Sequence, residues 1–416
     1  MTVPRRLWRL RERHPLFVAT ATLLCLALFA YPFVDYALRD AGIAPPFRFW
    51  DFGAYNAAIN RWLTGEAVYV RNENGGYHSK YIYPPVVLLL FLPFTSLTFS
   101  AAALAWEVFA VLFLWGSLQL AVGALGLDLR WWERLALLWL LLGFQPLLLG
   151  LKLGQTPAFL TGLLCLALAF AVSDERGGNE FVSGFLTALA AGVKLPYAPA
   201  GAHLLRGRRR FLGAIAGGLS FVAVSLAVFG LSTNLQFLEV LKWGLEAGTS
   251  ARSPRLWLPP YYRPFFSVPH ATAIRVLVAG GISAAVILAG PGVERESFAL
   301  GAAAVPLLAP QTYVYYFVAA IPAVVALVAA ELDRAGRPTL PLIGVVLLGV
   351  HSYGLKVIVE NLPSWIPPSP EWAVLLTAVQ PGLWGNWLLV GLAGVRVLEA
   401  VELPVPSLVG LPARFR

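Results

Sequence analysis

Long apolar runs alternate with short segments of Arg, Pro and aromatic residues from one end of the chain to the other. A helix needs about 20 apolar residues to cross roughly 30 Å of hydrocarbon. Residues 16–36, 100–123, 133–150, 155–172, 211–231, 272–290, 339–357 and 373–395 meet or approach that length and are expected to be membrane helices. No small-residue cleavage site of the A-x-A kind follows the first run, so it reads as a retained anchor and not as a leader. Two further apolar stretches are interrupted. Residues 181–205 carry Lys194 and Pro196, and residues 298–331 carry Pro306, Pro310 and Pro322, so each is expected to fold as a pair of short half-helices. The run from Pro84 to Leu97 has 14 residues and three prolines, which suits an interfacial or re-entrant helix better than a span.

The positions of the arginines orient these segments. Arg5, Arg6, Arg9, Arg11 and Arg13 place the N-terminus on the cytoplasmic side, and the tract Arg206, Arg208, Arg209, Arg210 belongs on the same side. If residues 84–97 do not cross, the helix from Ser100 runs inward and delivers Arg130 and Arg134 to the cytoplasm, as the same rule requires. The chain then makes about 12 crossings with both termini inside. Residues 37–83, 232–271 and 358–372 lie outside. A module over residues 1–335 is followed by C-terminal helices and a tail over 336–416.

Composition narrows the class. Hydrophobic residues make up 58% of the chain and charged residues 13%, about half the charge of a soluble domain. Abundant aromatic and branched residues exclude disorder, and two cysteines, Cys25 and Cys165, both in apolar runs, exclude a disulfide framework. The fold class is therefore an all-α polytopic membrane protein. Its +9 charge comes mostly from Arg; there are only five lysines. Lys80, Lys152, Lys194, Lys242 and Lys356 all fall outside or within membrane helices.

Candidate chemistry gathers on the external side. In Phe49-Trp50-Asp51-Phe52-Gly53-Ala54-Tyr55, Asp51 opens a helix that runs to about Thr64. Tyr55, Ala58, Ile59 and Trp62 share one face of it, which suits the membrane surface. Asp51 can cap that helix or act chemically. Lys152, Gln155 and Lys194 lie near the outer ends of apolar segments, where ionisable groups mark function; they can hold a phosphate or, for the lysines, snorkel to the interface. Arg252, Arg255 and Arg263 among Trp257, Tyr261 and Tyr262 fit either a sugar phosphate or an interfacial belt. There is no Walker A motif, Gly-rich dinucleotide turn, HExxH helix or Asp-x-Asp pair. The five histidines are scattered without metal spacing. ATP-driven transport, zinc hydrolysis and a metal-held nucleotide sugar are disfavoured.

Asp51-Phe52-x-x-Tyr55, Leu63-x-Gly65, Tyr69 and Tyr81-x-Tyr83-Pro84-Pro85, then Gly154-Gln155 and Gly192-x-Lys194-x-x-Tyr197 before an Arg-rich turn, form an ordered set. Over about residues 16–330 it resembles the polyprenyl-phosphate-mannose-dependent mannosyltransferases of glycosyltransferase family 87, integral-membrane enzymes of the GT-C class. The resemblance implies a GT-C fold with a long first external loop carrying juxtamembrane helices. It also implies Asp51 as general base and a lipid-phosphate sugar donor entering from the bilayer of the plasma membrane. The acceptor would be a glycan or glycolipid on the external face; no metal, cofactor or nucleic acid is implied. Lys194, Lys152 and loop arginines would meet the donor phosphate, with Tyr55, Tyr83 and Gln155 as wall groups. Where the family often carries a Trp and a His pair, this chain has Ala309-Pro310-Gln311-Thr312-Tyr313-Val314-Tyr315-Tyr316. Gln311 and Tyr315 thus become candidate donor contacts. A transporter or lipid flippase is the main alternative, because broken helices with an ionisable residue near the break also occur in transporters. An envelope scaffold without catalysis is a third.

Overall fold

A computed structural model describes residues 2–42, 44, 46–73, 76–77, 81–173, 178–249, 261–262, 264–265, 268–309, 312–360 and 380–401. Helices α1 (Val3–Leu10), α2 (Pro15–Asp40) and α3 (Trp50–Leu63) precede two 3₁₀ turns, Pro85–Leu90 and Leu92–Phe94. Next come α4 (Phe99–Ala124), α5 (Trp131–Gly143), α6 (Gln145–Leu153), α7 (Pro157–Val172), α8 (Gly178–Val193) and a 3₁₀ stretch, Leu195–Arg206. The rest comprises α9 (Arg208–Thr249), α10 (Ala271–Leu288), α11 (Glu294–Leu308), the 3₁₀ segment Val314–Ala320, α12 (Ile321–Asp333), α13 (Thr339–Glu360) and α14 (Pro381–Leu398). The described strands are β1 (Tyr261–Tyr262) and β2 (Thr312–Tyr313), a two-residue antiparallel pair with Tyr261 opposite Tyr313.

The protein is an all-α polytopic membrane protein. Among the described residues, α2, α4, residues 208–243 of α9, α10 and the run 314–333 are long and apolar enough to span, and α5 with α6 makes a sixth if that bent pair is one span. The sequence expectation of about 12 crossings also counted shorter elements. At 16 residues, α7 rises about 24 Å, short of the hydrocarbon thickness. It is buried along most of its length between α4 and α8, so protein replaces lipid around it. By contrast, α2, α9 and α10 expose most of their apolar side chains.

Three local outcomes differ from the sequence pattern. The expected span 133–150 bends by 71° between α5 and α6, where Phe144 leaves helical geometry and Pro146 sits in the first turn of the next helix. Prolines 84, 85 and 93 remove backbone donors, and residues 85–94 form 3₁₀ turns with Val86, Val87 and Leu88 buried in protein, not an interfacial α-helix. The loop expected from residue 232 begins as helix: α9 breaks at Gly230 and continues to Thr249. The two interrupted stretches do divide as expected, the first at Lys194 and the second after α11 ends at Leu308.

At the C-terminal end of α7 and the N-terminal ends of α8 and α11, arginines are wired to carboxylates. Arg210 donates to Glu180 at 3.0 Å, and Arg206 donates to the carbonyls of Ala289 and Gly290 at 3.1 and 2.6 Å. Arg396 grips the fully buried Glu331 through two hydrogen bonds of 2.6 and 2.8 Å, and the Arg337 N–H adds a third. Arg206 and Arg210, read from sequence as simple topology determinants, are thus buried structural groups. A polar cavity of about 730 Å³ opens at this end, lined in part by Arg210, Arg295, Arg334, Glu180 and Asp333. Replacing Arg396 by Met strands the Glu331 carboxylate and is expected to cost about 3–5 kcal/mol. The double change Arg396→Met with Glu331→Gln should recover much of that loss, checked by thermal unfolding of the purified protein in detergent.

Candidate active site

At the opposite end of α7 the chain brings three separate segments to one side chain, Gln155, and a fourth to the turn just before it. The fourth arrives through backbone. After α2 the chain turns back, and the N–H groups of Arg48 and Phe49 both donate to the Lys152 carbonyl, at 3.1 and 3.0 Å. Phe49 takes a left-handed conformation (φ 48°) and occupies the N-cap position of α3 without a side-chain cap. Asp51 lies two residues further, in the first turn, where the helix dipole favours a carboxylate. The capping position therefore belongs to Phe49. The face of α3 expected to lie on the membrane is instead packed into protein: Phe52, Tyr55, Ala58 and Ile59 are buried. The Tyr55 ring stacks on Phe91 at 4.3 Å, a surface supplied by the 3₁₀ turns.

Gly154 fixes how closely this layer approaches. It ends α6 at φ +77°, and a Cβ there would lie 2.5 Å from the Phe52 Cβ and 3.0 Å from its backbone nitrogen. Only glycine satisfies both the left-handed backbone and the close contact. The turn delivers Gln155, 6% exposed, just ahead of α7.

The Gln155 Oε1 then accepts from several donors. Tyr55 donates its hydroxyl at 3.2 Å, Lys194 its ammonium at 3.3 Å and Tyr83 its hydroxyl at 3.5 Å, with the Thr156 N–H at 3.4 Å. One carbonyl oxygen has two lone pairs, so these contacts are shared and long. Tyr83 is itself held in place, its carbonyl accepting from the Tyr69 hydroxyl at 2.5 Å. Burial, with Tyr83 and Asp51 nearby, pushes the Tyr55 phenol well above its ordinary value, so it remains a donor.

Lys194 closes α8. Its own N–H still bonds to Ala190, but Pro196 cannot continue the helical ladder and the chain tightens into 3₁₀ geometry. The ammonium, on a residue only 8% exposed, sits over the rings of Tyr316, Tyr315 and Tyr83 at 4.6, 5.2 and 5.4 Å. Among the described residues it has no ion-pair partner; ring faces and one amide oxygen compensate its charge. Tyr315 is also within electrostatic reach of Asp51.

The structure thereby gathers Asp51, Tyr55, Tyr83, Gln155, Lys194 and Tyr315, and adds Tyr316 to them. Lys152 is next to this group but differently engaged: its ammonium is bonded to the buried Asp35, on α2. Arg252, Arg255, Arg263 and Gln311 lie outside the described residues. No group of His, Cys, Asp or Glu suited to a metal occurs among the described residues. Asp35 was missed in the sequence although an acidic residue inside the run 16–36 is itself a signal.

The sequence profile described as Glycosyltransferase family 87 matches residues 81–296, just over half of the chain. Two curated relatives carry the name polyprenol-phosphate-mannose-dependent alpha-(1-2)-phosphatidylinositol pentamannoside mannosyltransferase. The protein from Mycolicibacterium smegmatis is 33% identical over 165 residues, 39% of this chain and 38% of the relative. That from Mycobacterium tuberculosis is 29% identical over 177 residues, 42% and 39% of the two chains. The chain thus matches well under half the length of either relative. No solved structure matches.

Removing the shared acceptor has a direct structural cost. In Gln155→Leu the buried donors of Tyr55 and Lys194 lose their partner, and stability should fall by about 1–3 kcal/mol. A lowered melting temperature in detergent, with the protein still inserted, checks this.

Proposed function

The chain belongs to glycosyltransferase family 87, and from that footing we propose that it is a membrane mannosyltransferase. Its donor is a polyprenyl-phosphate mannose and its acceptor a glycan or glycolipid hydroxyl, and it works on the external face of the plasma membrane. The observation that carries this reading is the position of Tyr315, with the Lys194 ammonium over its ring and the Asp51 carboxylate within reach of it. The names of the two relatives supply the donor class and the sugar. The family match begins at residue 81, so the role of Asp51 rests on this geometry and on the motif around it.

In the proposed reaction the acceptor oxygen attacks the anomeric carbon from the face opposite the phosphate. The new C–O bond forms as the bond from carbon to phosphate oxygen breaks, with inversion. Asp51 takes the hydroxyl proton; a carboxylate at a helix N-terminus is ionised at neutral pH and is a competent base for this step. The leaving group is a polyprenyl phosphate, and Lys194 stabilises its growing charge.

A phosphate oxygen competes well with what Lys194 has at rest. One shared contact of 3.3 Å to a neutral amide is weaker than a charge-assisted bond to phosphate. Preorganisation comes from the tyrosine rings, which hold the ammonium in place without neutralising it. Tyr55 and Gln155 support the sugar. Lys152, bonded to Asp35, holds the loop before Asp51 through its carbonyl and leaves the phosphate to Lys194. The donor enters laterally from the bilayer, as its lipid tail requires.

Membranes carrying Asp51→Asn, assayed with labelled polyprenyl-phosphate mannose, should lose at least about a hundredfold in turnover while donor binding persists. Wild-type turnover in that variant removes Asp51 as base. Lys194→Gln should raise the donor KM by about tenfold or more, the equivalent of one charge-assisted hydrogen bond. Unchanged donor affinity in titrations would assign the phosphate elsewhere.

A further inference from the structure

We propose that Asp35 is a positioning residue for the base, acting from inside the first membrane helix through a clamp of two cations. It rests on the mannosyltransferase reading, in which Asp51 takes the acceptor proton. Asp35 is 1% exposed, five residues before the end of a 26-residue helix that carries no other charge before Arg39 and whose outer face is open to lipid. A charge at that depth persists only if paired. Asp35 has two partners: the Lys152 ammonium on one oxygen and, at 2.9 Å, the Arg39 Nε on the other.

Both cations then hold the segment that leads to Asp51. The Phe47 ring lies 5.2 Å from the Arg39 guanidinium and 6.0 Å from the Lys152 ammonium. Phe47 and Phe49 rings touch at 5.9 Å. The Lys152 residue that meets Asp35 by its side chain meets the loop by its carbonyl, which accepts from Arg48 and Phe49. Without Asp35, both cations are free to snorkel outward along their apolar stems. The seat of Phe47 and the position of the Lys152 backbone would loosen together. Phe49, held left-handed at the entry to α3, transmits that looseness to Asp51 two residues on. Lys194 closes α8, which takes no part in this clamp, so the cation of the donor phosphate site stays in place.

The test is Asp35→Asn in the full-length protein in lipid nanodiscs, with two independent readouts. Hydrogen exchange at the amides of Arg48 and Phe49 should quicken by about tenfold or more. With polyprenyl-phosphate mannose as donor, kcat should fall by about ten- to a hundredfold, the scale of a small misplacement of a reacting group, while donor KM stays within about twofold. Asp35→Glu should restore most of the rate. Unchanged exchange overturns the proposal, and so does faster exchange with unchanged kcat or a loss confined to KM. Should Asp35→Asn not accumulate, the paired variant Asp35→Asn with Lys152→Gln leaves no buried unpaired charge and must show the same exchange and kcat changes. A wild-type protein that transfers no sugar sinks the mannosyltransferase reading instead, and the exchange measurement still decides the clamp.

Discussion

Lys194 carries a positive charge in a nearly closed interior, and the site is built around the terms on which that charge is tolerated. A carboxylate beside it would give the greatest stabilisation and the least use, because the pair would be neutral before any anion arrived. Here the compensation comes from one amide oxygen and three aromatic faces. Each is worth less than a salt bridge, about 0.5–2 kcal/mol for a cation over a ring, and none carries a net charge. The cation is kept in place and its field is kept available. Gln155 is central to this compromise, since the same oxygen ties the Lys194 segment to α3 through Tyr55 and to the loop through Tyr83.

The opposite end of the bundle uses the other solution. Arg210, Arg334 and Arg396 are each spent on a carboxylate, and Glu331 is enclosed by the Arg396 fork and a backbone N–H. Guanidinium groups suit this because their planar donors match carboxylates two at a time. About 24 Å of α7 separates the two ends. The end predicted to face the cytoplasm is braced by Arg–carboxylate pairs, and the end that gathers the candidate site keeps a lysine without one. The preference for Arg over Lys in the composition thus divides by location and by task.

Much of this was legible in the sequence because the signals were local and strong. Pro196 after Lys194 broke the helix where expected, since a missing N–H acts on its own turn. Asp51, Tyr55, Tyr83, Gln155 and Lys194 could be named from their order along the chain. What could not be read was which surface would cover an amphipathic face. The face of α3 through Tyr55 and Ile59 has the spacing of a membrane-surface helix, and only the folded 3₁₀ turns, with Phe91 presented as a flat partner, show that it is buried in protein. The 71° bend after Gly143 was hidden for a similar reason, because an apolar run has the same composition whether it crosses straight or turns at Phe144. Asp35 was overlooked among apolar neighbours, and its meaning depends on Lys152, 117 residues away.

The pairing of Asp35 with Lys152 also bears on how a membrane enzyme can place its base. Asp51, the proposed base, stands in the first turn of α3 outside the spans, and the loop that leads into that helix is alone poorly suited to holding a reacting group to a fraction of an ångström. The first membrane helix cannot help through ordinary packing, because most of its surface faces lipid. It helps instead through one buried carboxylate, which reaches α6 and fastens the loop to the same turn that presents Gln155. In the proposed reaction, base and phosphate-binding cation are thereby referred to one corner, the α6 C-terminus with Gly154, where a Cβ would collide with Phe52. On that proposal the distance between Asp51 and Lys194 is set by that corner and not by the loop.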